Sequence, residues 1–172
     1  MLNRHNFIYL RRGENCVKSN LMTGTRHGYH VTLFDYSDTA APDHYVEHRH
    51  TLVILHRTGN GVPQLLNLAV TPGQYLERCL VEYQEVGPEG LDTLVQHSRV
   101  YASANNLARA LLDARLMRVL LKRPGFYVEI RDDVLLMFCP GHELGQVEEM
   151  PRLLAFAVLL VRALFSKPPE TT

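Results

Sequence analysis

The chain has 172 residues, with 18 basic and 18 acidic side chains and a formal net charge of zero. That is the length of one ordinary domain, and it can bury about two-thirds of its unfolded surface without disulfides or metals as staples. A composition 46% hydrophobic and 21% charged excludes disorder and collagen-like structure, and balanced charge argues against an overall attraction to nucleic acid.

In chain order, strands come first. FIYLRR (Phe7–Arg12) precedes a turn at Gly13-Glu14-Asn15, and VKSNLMTG follows, ending at Gly24. HVTLFDY (His30–Tyr36) is rich in β-branched and aromatic residues. After a polar loop, Ser37 to Asp43, HTLVILHR (His50–Arg57) has a continuous apolar centre, which predicts a strand covered on both faces. Thr58-Gly59-Asn60-Gly61 reads as a hairpin turn returning into QLLNLAV (Gln64–Val70), completing an antiparallel meander with His50–Arg57 at its centre.

The second half mixes helices with strands. Thr71 as N-cap and Pro72 at the first helical position predict a helix through Tyr83. Ser98–Ser103 reads as a short strand. Asn105 is the expected cap of one helix from Asn106 to about Lys122, with Leu107, Ala110, Leu111, Ala114, Met117, Leu120 and Leu121 spaced by three and four. FYVEI (Phe126–Ile130) and VLLMF (Val134–Phe138) flank Arg131-Asp132-Asp133 as a hairpin. A last helix from Glu148 to Phe165 is apolar all round from Leu153 to Val161, and Pro168-Pro169 stops it. The pattern predicts one α+β domain over 1–172, with a β-rich half at 1–70, a mixed half at 71–167 and a tail at 168–172. The expected sheet is mostly antiparallel, packed with two or three helices.

The stretch NLMTGTRHGYHVTLFDYSDT followed by HRHTLVILHR resembles an uncharacterised, often membrane-anchored bacterial domain family. Its members pair a strand ending in FDY, here Phe34-Asp35-Tyr36, with a strand opening in Q-T-V, here His50-Thr51-Leu52. VPQLLNL, RVYASANNLARALL and GFYVEIRDDVLLMFCPG extend the resemblance along nearly the whole chain. It implies an α+β domain and brings no activity with it. Family members often carry two membrane-spanning helices ahead of the domain, whereas this chain opens at the domain, and His50 stands where glutamine is usual, so no role transfers to that position.

Catalytic motifs are sparse. No GxSxG, GxxxxGK, GxGxxG or HExxH occurs. Cys16, Cys79 and Cys139 are odd in number, far apart and in no CxxC pair, which argues for thiols in a reducing compartment rather than a disulfide scaffold. The histidine group His44, His48, His50 and His56 is the densest concentration of ligand chemistry. In a strand, His48, His50 and His56 share a face, and neighbours two apart can reach one ion. His44, His48 and His50 are therefore the metal candidates, with His27, His30, Asp35 or Glu47 as further donors. The set is not closed, so neither a tightly bound metal nor any cofactor is expected.

Two surfaces are candidates for interaction. Arg115, Arg118 and Lys122 recur at helical spacing and would suit anionic headgroups or an acidic partner. Leu153, Phe156, Leu160 and Leu164 form one stripe on the last helix, either the central buried element or a self-association surface. Leu153 to Phe165 is about 20 Å long as a helix, too short to span a bilayer, and the N-terminus lacks a signal-peptide core. The chain is expected to be cytoplasmic, without a membrane span or nucleic-acid partner. Two function classes fit: a non-catalytic binding or assembly module with a protein partner or second copy, peripheral membrane contact included, or a metal-dependent domain built on the histidines.

Overall fold

The computed structural model describes residues 7, 14–39, 47–57, 67–72, 83–87, 91–131, 134–140 and 149–165. The first strand, β1 (Glu14–Arg26), turns at His27 and Gly28 into β2 (Tyr29–Thr39). Both turn residues have positive φ, 51° and 80°, as a two-residue type I′ hairpin requires. β2 pairs with β3 (Glu47–Arg57) in unbroken antiparallel register from Tyr29↔Arg57 to Thr39↔Glu47. Then come β4 (Leu68–Pro72), β5 (Gln84–Glu85), the single-turn α1 (Asp92–Val95), β6 (Ser98–Ala102), α2 (Asn105–Leu111) and α3 (Ala114–Leu120). The chain continues through the hairpin β7 (Tyr127–Arg131) and β8 (Val134–Phe138) to α4 (Glu149–Phe165).

These strands make one sheet of eight, in the order β1-β2-β3-β8-β7-β4-β6-β5, and every pairing is antiparallel. The expected α+β class, the β1–β2–β3 meander and the β7–β8 hairpin are present. β3 lies inside the sheet between β2 and β8, and its apolar run is divided between two faces. Val53 and Leu55 join the core on the face that the helices cover, while Leu52 and Ile54 join a second cluster on the other face with Phe7, Phe34, Tyr36, Tyr127 and Phe138.

Four expectations are corrected. Thr71 and Pro72 do not start a helix: they end β4, opposite Arg99 and Ser98 of β6. Proline lacks an N–H and is tolerated at a strand end, so tertiary pairing overrides the local capping signal. β4 does not return beside β3, because the β7–β8 hairpin is inserted between them and β4 pairs with β7 and β6. The helix expected from Asn106 to Lys122 is broken. α2 is capped at Ala104, not Asn105, and α3 begins again at Asp113, whose carboxylate accepts hydrogen bonds from the backbone N–H groups of Arg115 (3.0 Å) and Leu116 (2.9 Å). β2 also runs on to Thr39, into the expected loop. The strand residues 8–12, the turn at 58–61, the start of the returning strand at 64–66, the helix interior at 73–82, the hairpin tip 132–133, Glu148 and the 168–172 tail lie outside the described residues.

α4 lies against β3 and α3. Leu153, Phe156, Leu160 and Leu164 are all buried in the main core, each contributing about 1.5–3 kcal/mol of transfer free energy. Its outward side carries Pro151, Arg152, Ala155 and Arg162, together with Leu159. Glu149 sits in the first turn and Arg162 in the last, each at the end of the helix dipole that favours its charge.

Candidate functional site

The residues singled out by sequence do not converge. The His50 ring is fully buried and stacks on Phe138 with centroids 5.0 Å apart. His44 and the side chain of His48 lie outside the described residues. His56 is half-buried and faces His30 across β2 and β3. His30 is exposed, and its Nδ1 lies 3.1 Å from the Gly24 carbonyl oxygen, which can only accept, so Nδ1 is the donor. Among the described residues no group of three or more His, Cys, Asp or Glu side chains is placed to hold a metal ion.

Arg115, Arg118 and Lys122 are exposed along α3 and just beyond it. Arg118 and Lys122 edge a wide, shallow depression of 560 Å³ whose apolar floor includes Leu112, Met117 and Leu121. The four-residue stripe on α4 points inward, and among the described residues the large hydrophobic side chain that this helix exposes is Leu159.

Three features were not read from the sequence. The first is a buried polar group on the sheet face away from the helices. Tyr127, Glu129 and Arg131 alternate along β7, so all three side chains emerge on one face. Glu129 is fully buried. It accepts a hydrogen bond from the Tyr127 hydroxyl at 2.9 Å and an ion-paired bond from Arg131 Nε at 3.1 Å. Arg131 also lies over the Tyr83 ring, 5.6 Å from its centroid. Burial works against the guanidinium charge, but Tyr83 and Glu129 outweigh it and hold the Arg131 pKa above its ordinary value. The signal was present: a lone Glu in an otherwise apolar strand needs a buried partner, and Arg two residues on supplies it.

The second is a 110 Å³ cleft where β3 and β8 approach the start of α4, lined by Thr51, Arg123, Phe126, Cys139, Arg152 and Leu153 among others. The Arg123 guanidinium packs over Phe126 and Phe156, at 5.5 and 5.6 Å from the ring centroids. Thr51 donates to Asp35 at 2.6 Å, and Asn20 donates to the other oxygen of the same carboxylate at 2.7 Å. Burial pushes the Cys139 thiol pKa up, and Arg123 pulls it only part of the way back. The thiolate is the nucleophile, so Cys139 is a poor one. In a chain with Cys16 and Cys79 replaced by Ser, alkylation of Cys139 at pH 8 is expected to be several-fold slower in the folded state than in urea. Equal rates, followed by titrating the remaining free thiol of quenched, denatured samples with a chromogenic disulfide, would refute this placement.

The third is an apolar groove of 270 Å³ between the β1–β2 hairpin and α4, walled by Met22, Val31, Leu33, Met150 and Leu154, with Arg26 at its margin. β1 forms the edge of the sheet, and Val17, Leu21 and Met22 on it are 57%, 59% and 42% exposed. Isolated apolar residues at a surface are ordinary, but three within six positions of an edge strand, one of them in the wall of an apolar groove, are not. Two methionines in the lining give it an adaptable surface.

No helix among the described residues is long and apolar enough to cross a membrane. No family model matches the chain, and no curated protein matches it. Among solved structures, the crystal structure of the mycobacterial trehalose monomycolate transport factor A, TtfA, matches with a TM-score of 0.66 at 15% identity, covering 95% of this chain and 82% of that one. At that identity the likeness is one of fold, and it extends along almost the whole chain: this sheet with its helices on one face is similar to the architecture of TtfA.

Proposed function

We propose that the chain is a non-catalytic binding or assembly module, working in the cytoplasm within a larger complex. The observation that carries this reading is the exposed Met22 on the edge strand β1, in the wall of the 270 Å³ apolar groove, with Val17 and Leu21 exposed further along the same strand. Further support comes from the titratable groups inside the sheet: Glu129, Tyr127 and Arg131 bind one another, and His50 is held in a ring stack. A similar fold in a protein described as a transport factor is compatible with this reading. The test is affinity capture from the native host, with the full chain as bait beside a Val17→Lys, Leu21→Lys, Met22→Glu variant. A stoichiometric partner retained by the first and lost by the second is expected. Equal capture by both, from variants of equal melting temperature, would overturn the reading.

A further inference from the structure

We propose that Met22–Arg26 of β1 is a docking edge for an extended segment of a partner protein, apolar at alternate positions and carrying a carboxylate, which adds to the sheet as a further strand. This rests on the binding-module reading and narrows it to one site and one chemistry. Sheet edges are ordinarily guarded by charge, by proline or by bulges. In β1 the guards precede Met22: the register is interrupted between Glu14 and Val17 and again between Ser19 and Met22, Asn20 in the second interruption has φ 52°, and Lys18 lies between them. From Met22 to Arg26 the strand pairs with Leu33 to Tyr29 without interruption, and among the described residues no strand lies on its outer side. The stretch reads Met-Thr-Gly-Thr-Arg, uncharged until its last residue.

Strand addition takes affinity from main-chain hydrogen bonds and specificity from pockets that receive alternate side chains. The groove beside this stretch supplies the pocket. Met22, Gly24 and Arg26 face the same side as Val31 and Leu33, and a Cβ built on Gly24 meets nothing within 4 Å. Gly24 also lacks the positive φ that would require glycine for the backbone. A glycine inside a strand with open space over it marks a place where another chain can approach closely. At the hairpin tip Arg26 and His27 are exposed, and Arg26 forms no ion pair among the described residues. This favours a carboxylate on the incoming segment. A second copy of the same edge fits less well: paired antiparallel about Gly24, it would set glycine against glycine over the groove and bring no acid to either Arg26.

The test uses the full chain and a random heptapeptide library displayed on phage. Selected peptides are expected to alternate apolar with polar residues and to carry Asp or Glu. As fluorescently labelled synthetic peptides, they should bind the wild type and lose at least tenfold in affinity to Gly24→Val, which fills the groove, and to Arg26→Glu, which reverses the charge. Leu159→Glu, on the outward side of α4, should leave affinity unchanged, and amide exchange should slow at Met22–Arg26 when peptide is bound. Absence of any consensus, or equal binding by the Gly24→Val and Arg26→Glu variants at unchanged melting temperature, would overturn the proposal. So would self-association of the wild type that Gly24→Val abolishes, which assigns the edge to a second copy. If Gly24→Val still captures the host partner that the triple β1 variant loses, strand addition fails while the binding-module reading stands.

Discussion

Replacing Glu129 by Ala is expected to lower stability by about 3–5 kcal/mol, the range for removing one member of a buried ion pair. The reason is what remains. The carboxylate is fully buried, and without it the Tyr127 hydroxyl loses its acceptor and Arg131 loses a counter-ion at 3.1 Å. For a chain of this size each kcal/mol is worth roughly 2–4 °C, so the melting temperature should fall by about 6–20 °C. Glu129→Gln keeps an acceptor for Tyr127 and should lose less. Tyr127→Phe, Glu129→Leu and Arg131→Leu together should recover most of the loss, because a fully apolar replacement leaves no orphaned charge. Urea titration of the four proteins decides it: a Glu129→Ala midpoint indistinguishable from wild type would show that the group contributes nothing.

Leu160 is the second position where a large effect is expected. It is fully buried in the main core on the inward side of α4. Leu160→Ala should cost about 2–5 kcal/mol through lost transfer energy and the cavity left behind. Leu160→Asp should prevent stable folding, since an unpaired carboxylate there has no partner. The same substitution at an interface would instead give a folded species of smaller size. Light scattering after size-exclusion chromatography, read beside thermal melting, separates the two outcomes, and a folded, smaller Leu160→Asp protein would move the stripe from core to contact surface.

Elements whose local pattern agreed with their tertiary setting were legible from the sequence. β2, β3, the β7–β8 hairpin and α4 all announce themselves through β-branched runs, hairpin spacing or a long apolar stripe. The strand of β4 is legible up to Val70, but its last two residues are not, because Thr71-Pro72 is a good helix start in isolation and only the distant Ser98 and Arg99 make it a strand end. The α2–α3 break escaped because the apolar spacing continues across it; the missed signal was Asp113, a helix cap in the middle of an apparent helix. The polar group on β7 could have been found, since Tyr127, Glu129 and Arg131 share a parity. The groove could not, because it forms only where Leu154 of α4 packs beside Met22 and Leu33 of the β1–β2 hairpin, an element far from it in sequence.

The insertion of β7 and β8 between β3 and β4 has a consequence for how the chain is made. β3 ends at Arg57 and its partner β8 begins at Val134. At about 5–20 residues per second, a ribosome needs several seconds to deliver the second after the first. Throughout that interval the nascent β1–β2–β3 meander shows an open edge at β3, with Leu52 to Leu55 apolar on both sides. Because the missing neighbour lies so far downstream, the first half of the chain cannot reach its final pairing alone, and the growing polypeptide meets the crowded cell with the edge of its future central strand uncovered.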